Sequence, residues 1–129
     1  MHDKFGHSER LTEIRKNPEL LREWVKFRTN FLNEEWVELN EAVAEDDWDG
    51  YIDAIIDWMV VAIGTLDGLH VDTQKAWDAV QDANMAKEYG TNPKRPNSFN
   101  LPDLIKPTGW IAPSHTDNLG ALETLKVED

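Results

Sequence analysis

Ile52-Asp53-Ala54-Ile55-Ile56-Asp57-Trp58-Met59-Val60-Val61-Ala62-Ile63-Gly64-Thr65-Leu66 decides the fold. It is apolar on most sides and carries only two charges, Asp53 and Asp57, one helical turn apart. A helix of this kind, running roughly from Asp49 to Leu69, usually occupies the centre of a bundle. The elements on either side of it are read in the same way.

Upstream, Asn17-Pro18-Glu19 signals a helix start: Asn caps, Pro suits the first turn and Glu favours the positive end of the dipole. Apolar residues then recur at helical spacing through Leu21, Trp24, Val25, Phe31, Leu32, Leu39 and Val43. Glu45-Asp46-Asp47, followed by Gly50, predicts a turn before the central helix. Downstream, Asp72 or Thr73 should cap a third helix reaching about Tyr89, with Gly90 ending it. A shorter helix before Asn17 is only weakly signalled.

Five of the six prolines fall between Pro93 and Pro113. That segment is expected to be irregular, either a disordered tail or a loop held to the bundle through Trp110. From about Asn118 the chain is expected to fray. The expected organisation is one all-α domain of about three to four helices per chain. Residues 1–90 would form the helical core and residues 91–129 a Pro-rich wrap or tail of the same domain.

Composition narrows the function. The formal net charge of −12 over 129 residues argues against binding nucleic acid or an anionic membrane. There is no Cys, which removes disulfides, thiolate zinc sites and Cys nucleophiles and suits a reducing cytoplasm. The N-terminus is too polar for a signal peptide, and no apolar run is long enough to span a bilayer. The expectation is a soluble, cytoplasmic domain.

The acids are concentrated. Between Thr29 and Gln74 there are twelve Asp or Glu residues and no Lys or Arg. With about 100° per residue, Glu35 shares an arc with Trp24, Phe31, Leu39 and Ala42, and Glu38 lies on its margin. Glu34, Glu41 and Glu45 fall further round toward solvent. Asp57 sits among Ile55, Ile56, Trp58, Met59 and Val60, with Asp53 one turn before it, and Gly64 leaves room on the same face. An unpaired carboxylate in an apolar stripe costs several kcal/mol or neutralises. Hard divalent cations such as Mg²⁺ or Mn²⁺ prefer oxygen ligands, and inward acids on facing helices are how bundles assemble metal sites. On the third helix Asn84 and Lys87 should share the packed side. Lys87 could equally snorkel from the helix end, and Asn84 could be a plain surface residue.

One competing pattern is Glu45-Asp46-Asp47-Trp48-Asp49-Gly50-Tyr51-Ile52-Asp53, which has acids and Gly where an EF-hand calcium loop needs them. It fails at the twelfth position, where Ile56 replaces the bidentate Glu. The alternative function to weigh is therefore a non-enzymatic Ca²⁺-binding or acidic interaction protein.

Glu34-Glu35-x-x-Glu38 followed by Asp53-x-x-x-Asp57 resembles the MazG-like, all-α nucleoside triphosphate pyrophosphatases, relatives of phosphoribosyl-ATP pyrophosphohydrolase. The resemblance continues through Val61-Ala62-Ile63-Gly64-Thr65, Ala83-Asn84-Met85-Ala86-Lys87 and Lys106-Pro107-Thr108-Gly109-Trp110, as in short phage-type members, and covers roughly residues 18–113. The family's Glu three residues before the final Asp is Ala54 here, with Asp53 beside it. One helix face tolerates either spacing.

The resemblance implies hydrolysis of a (d)NTP to the monophosphate and pyrophosphate, with purine (dGTP) preference known among phage members. It implies two or more Mg²⁺ or Mn²⁺ ions on Glu35, Glu38, Asp53 and Asp57, and Glu34 or Glu35 as proton acceptor. It further implies that Lys87 offsets phosphate charge, that Asn84 and Lys106 bind substrate, and that the chain forms a homodimer or homotetramer. Nucleic acid and membranes are not expected partners.

Overall fold

A computed structural model describes residues 7–95 and 99–126. It contains four α-helices: α1 (His7–Lys16), α2 (Pro18–Ala44), α3 (Trp48–Gly68) and α4 (Thr73–Met85). The strands β1 (Glu88–Gly90) and β2 (Asp103–Ile105) and a closing 3-10 helix, Gly120–Leu125, complete the described elements. The fold is all-α, as expected. No described helix is long and apolar enough to cross a membrane. The described residues fall into two compact units, residues 7–72 with 119–126, and residues 73–118.

In the first unit α2 and α3 form an antiparallel hairpin. Asn17 caps α2, its Oδ1 accepting from the amides of Glu19 (3.0 Å) and Leu20 (3.3 Å), with Pro18 in the first turn. The turn to α3 is short. Asp46 adopts a left-handed backbone (φ 53°) and Asp47 caps α3 by accepting from Gly50 N at 2.9 Å. Because the helix begins at Trp48, residues 45–56 form no twelve-residue calcium loop. The small buried residues Ala42 and Ala54 let the two helices close near this turn, while Leu21, Val61 and Leu69 fill the seam further along.

The far end of α3 is held from several sides. Arg15 Nη1 donates to Gly68 O at 3.0 Å, and Ala121 N donates to Leu69 O at 2.6 Å. Arg22 Nη2 reaches Leu125 O at 3.3 Å. Gly120 turns with φ 55°, and a Cβ there would strike the Leu69–His70 backbone. Within the segment beyond Asn118, expected to fray, residues 120–125 thus form a 3-10 helix held by a donor to a C-terminal carbonyl of α3, while residues 127–129 lie outside the described residues. The weakly signalled helix before Asn17 is real as α1.

The expectation that α3 is the central, buried helix is not met within one chain. Its buried residues are only Ala54, Val61 and Gly68. Ile52 (64% exposed), Ile56 (52%), Val60 (62%) and Ile63 (49%) face outward.

In the second unit the third helix stops at Met85, not near Tyr89. Continuing it would need Lys87 N–H to bond Ala83 O. That carbonyl instead accepts from the Trp110 indole N–H at 2.8 Å, and Lys87 N turns to Asn84 O at 3.1 Å. Residues 88–90 then pair antiparallel with 103–105, Tyr89 opposite Leu104. Gly90, expected to end a helix, lies in a strand against Ile105. Arg95 grips Asp103 in bidentate fashion (2.9 and 2.7 Å), and Lys75 pairs with Asp117 at 2.9 Å.

Candidate active site

The α2–α3 hairpin carries an acidic cleft at its turn end. Glu38, Glu41, Glu45, Asp47, Asp53 and Asp57 line it around Ala42 and Ala54, enclosing about 240 Å³. The two buried alanines explain the position: their small side chains leave the rows of carboxylates facing a common space. Glu38, Asp53 and Asp57 are exposed to it. No Lys or Arg lines this space.

Glu35 stands one turn before Glu38 and is half-buried. Its Oε2 is shielded from solvent and has no hydrogen-bond partner. Burial raises its pKa above the ordinary carboxylate value, and the charges of Glu38 and Asp57, the hydrogen bond its protonated carboxyl can make to Glu38 and the charge of Glu34 add to the rise. An orphaned carboxylate oxygen beside like charges is costly in the folded chain and is relieved by a cation or a proton. Among the described residues no three carboxylate or imidazole groups converge tightly enough to form a ready-made ion site. The donor set fits hard divalent cations in its chemistry, oxygen donors with an uncompensated charge.

The structure therefore brings Glu38, Asp53 and Asp57 to one cleft and sets Glu35 against them, with Glu34 exposed beside it. Glu41 and Glu45, read from phase as outward-facing, also line the cleft, and so does Asp47. Glu41 and Glu45 are exposed, as their phase implies, and border the cleft because it opens to solvent at the end of the hairpin.

Asn84, Lys87 and Lys106 belong to the second unit. Asn84 is half-buried on α4. Lys87 lies beyond the helix end, so the phase argument that placed it inward does not apply. It is half-buried instead against Trp110, with Nζ 5.2 Å from the ring centroid, and Lys106 Nζ lies 5.1 Å from the same ring.

Sequence reasoning missed Arg28, which falls one residue outside the cation-free window. It precedes Glu35 by seven residues and so shares its face of α2. Its Nε donates to Thr65 Oγ1 and its Nη2 to Val61 O, both at 2.9 Å. It is the guanidinium that occupies the space left by Gly64, where a Cβ would lie 3.0 Å from Nη2. The phase test applied to Glu35 would have found it.

No curated protein and no solved structure shows significant similarity to the chain. Residues 2–84 match the family model of phosphoribosyl-ATP pyrophosphohydrolase (PRA-PH). The match contains both acidic clusters and leaves Lys87 and Lys106 outside it. With the helical hairpin and its facing carboxylates, this identifies the chain as a member of the phosphoribosyl-ATP pyrophosphohydrolase family, within the MazG-like superfamily of nucleotide pyrophosphohydrolases.

Proposed function

We propose that this chain is a metal-dependent pyrophosphohydrolase that cleaves (d)NTPs to (d)NMP and pyrophosphate, with a purine preference, dGTP in particular. The observation that carries the reading is the orphaned Glu35 Oε2 beside Glu38 and Asp57. In this proposal Glu35, Glu38, Asp53 and Asp57 hold two or more Mg²⁺ or Mn²⁺ ions. Such ions, when bound, neutralise the phosphates and polarise the α-phosphorus.

The chain's own groups do the rest. Glu34 or Glu35, the adjacent acids of the first cluster, would take the proton of the water that attacks the α-phosphorus. A P–O bond forms to water, the α–β bridging bond breaks, and pyrophosphate leaves. Asn84, Lys87 and Lys106 are kept as substrate contacts on their chemistry, amide and ammonium donors being suited to phosphate oxygens. The outward apolar row of α3 supports assembly as a homodimer or homotetramer, because Ile52, Ile56, Val60 and Ile63 leave more apolar surface in water than one chain tolerates well. A cytoplasmic location is proposed with it.

The test is pyrophosphate release from each common NTP and dNTP with Mg²⁺ or Mn²⁺. Turnover that is fastest with dGTP and abolished by chelation is expected. No turnover of any nucleotide, together with tight Ca²⁺ binding, would instead favour the non-enzymatic acidic protein. Light scattering should give a mass above that of one chain, and Val60→Glu should lower it.

A further inference from the structure

Two glycines one turn apart on α3 are sockets for two residues one turn apart on α2. Gly68 gives way to the Trp24 ring and Gly64 to the Arg28 guanidinium, each of which a Cβ would meet at close range. Both contacts describe one antiparallel register of α2 against α3. Carried seven residues further toward the turn, that register sets Glu35 opposite Asp57. Asp57 is accordingly among the charges that act on Glu35.

The acids do not hold this register themselves, because like charges that face one another repel. Apolar packing is non-directional and lets a ridge of one helix trade one groove for the next. Hydrogen bonds are directional. Among the described residues, Arg28 alone makes side-chain hydrogen bonds from α2 to α3. Its Nε donates to Thr65 Oγ1 and its Nη2 to Val61 O, while the Thr65 hydroxyl donates to that same carbonyl at 2.7 Å. The hydroxyl proton is thus spent, and its oxygen is left to accept from Arg28. The Trp24 and Phe31 rings lie 5.8 and 5.5 Å from the guanidinium carbon.

Thr65 is the only serine or threonine on α3. A slip of one helical turn would bring Arg28 to Val60 or to Gly68. The next residue there is Val61 or Leu69, and neither offers Nε a hydroxyl. The arginine fork is satisfied in one register only.

We propose that Arg28 is a positioning residue for the acid site: bonded to Thr65 and Val61 in the Gly64 socket, it fixes the register that sets Glu35 against Asp57. The proposal rests on the metal reading above. Arg28 acts there through the two helices, standing about 10 Å along α2 from Glu35. Carboxylates on two helices converge on one ion only while the helices keep their register, so the residue behind them controls affinity.

Calorimetric titration of the full chain with Mn²⁺, without nucleotide, tests this. Arg28→Met is expected to weaken Mn²⁺ binding about tenfold or more, as loss of a residue that supports metal ligands does. The sign separates positioning from charge. Removing a cation near the acids would, by Coulomb's law alone, tighten the binding of another cation. Thr65→Val keeps the charge of Arg28 but removes its acceptor, and should also weaken binding. Thr65→Ser keeps the hydroxyl and should bind as the native protein does. Asn17→Ala removes the α2 cap, and should lower the melting temperature while leaving Mn²⁺ affinity unchanged.

Native or tighter Mn²⁺ binding in Arg28→Met overturns the proposal. Should that variant not fold, native binding in Thr65→Val overturns it instead. A loss in Asn17→Ala as large as in Arg28→Met also overturns it, since affinity would then follow stability alone. Each of these outcomes leaves the metal reading standing as long as the native protein binds Mn²⁺. A native protein that binds none sinks that reading, and the positioning role with it.

Discussion

The two compact units treat the same side-chain type in opposite ways. In residues 73–118 two carboxylates, Asp103 and Asp117, are answered by cations. The Arg95 fork and the Leu104 amide hold Asp103 below the ordinary carboxylate range, and Lys75 does the same for Asp117. In the α2–α3 hairpin the acids face one another, and burial with the charges of Glu38 and Asp57 pushes Glu35 upward. Paired acids stabilise the fold that holds them. Unpaired acids on a helical hairpin work against it, and this cost is what motivates the proposal that a cation binds there.

The largest expected effect follows from breaking the unpaired side. Glu35→Gln should lower the rate of pyrophosphate release by about 10²–10⁴-fold if Glu35 is the base, measured at saturating Mg²⁺. Asp57→Asn should be comparably damaging through the metal. Activity within a few-fold of native in either variant would show that the acid cluster has been misassigned. The same Glu35→Gln change should stabilise the metal-free fold. The sign follows from linkage. The folded pKa of Glu35 lies above its unfolded value, so the native chain is unpenalised below the ordinary glutamate range and loses stability as pH rises through the raised value. At neutral pH the variant should therefore melt higher than native, with the difference vanishing in acid. A variant that melts lower at neutral pH would mean that Glu35 is compensated by a partner.

Most of the hairpin was legible in the sequence because its signals are local. Asn17-Pro18 fixed one helix start, and Glu45-Asp46-Asp47 with Gly50 fixed the turn, each through backbone groups within three residues. The inward phase of Glu35 followed from helical periodicity alone. What periodicity could not supply was context. α4 was overextended because its stop depends on Trp110, twenty-seven residues away. Gly90 carries a helix-end signal and serves a strand, since the pairing with Asp103 is equally non-local. Glu41 and Glu45 are as exposed as their phase implies, but a wheel cannot show that they border the same cleft as Glu38 and Asp53. Arg28 escaped for a different reason: attention to acids set the window one residue too late.

The unit of residues 73–118 can be tested at Trp110, whose ring carries both Lys87 and Lys106 and whose N–H holds the Ala83 carbonyl. Trp110→Leu removes two cation–π contacts and one hydrogen bond, an expected loss of about 1–3 kcal/mol in local opening. Hydrogen exchange at Ala86 and Lys87 reads it directly. Trp110→Phe keeps the ring and loses only the N–H, so its effect should be the smaller one. Equal exchange in all three proteins would mean that the helix end is fixed by the backbone turn at Asn84 and not by the indole.

The smallest effect belongs to Asp103, and it mirrors Glu35. Its folded pKa is depressed, first by the Arg95 fork and then by the Leu104 amide, which donates to Oδ1 at 2.8 Å. The stabilisation it gives the β1–β2 pair is therefore complete above the ordinary aspartate range and disappears as pH falls through the lowered folded value. Because the pair with Arg95 is solvent-exposed, salt should weaken it. The chemical shift of the Leu104 amide, followed from neutral pH into acid, should titrate below the ordinary aspartate value in native protein and lose that transition in Asp103→Asn. The opposed direction of the two titrations, upward at Glu35 and downward at Asp103, tests the contrast between the units in one NMR experiment. If both groups titrate below the ordinary range, the hairpin acids have found a partner within the protein, and the argument for an external cation falls with them.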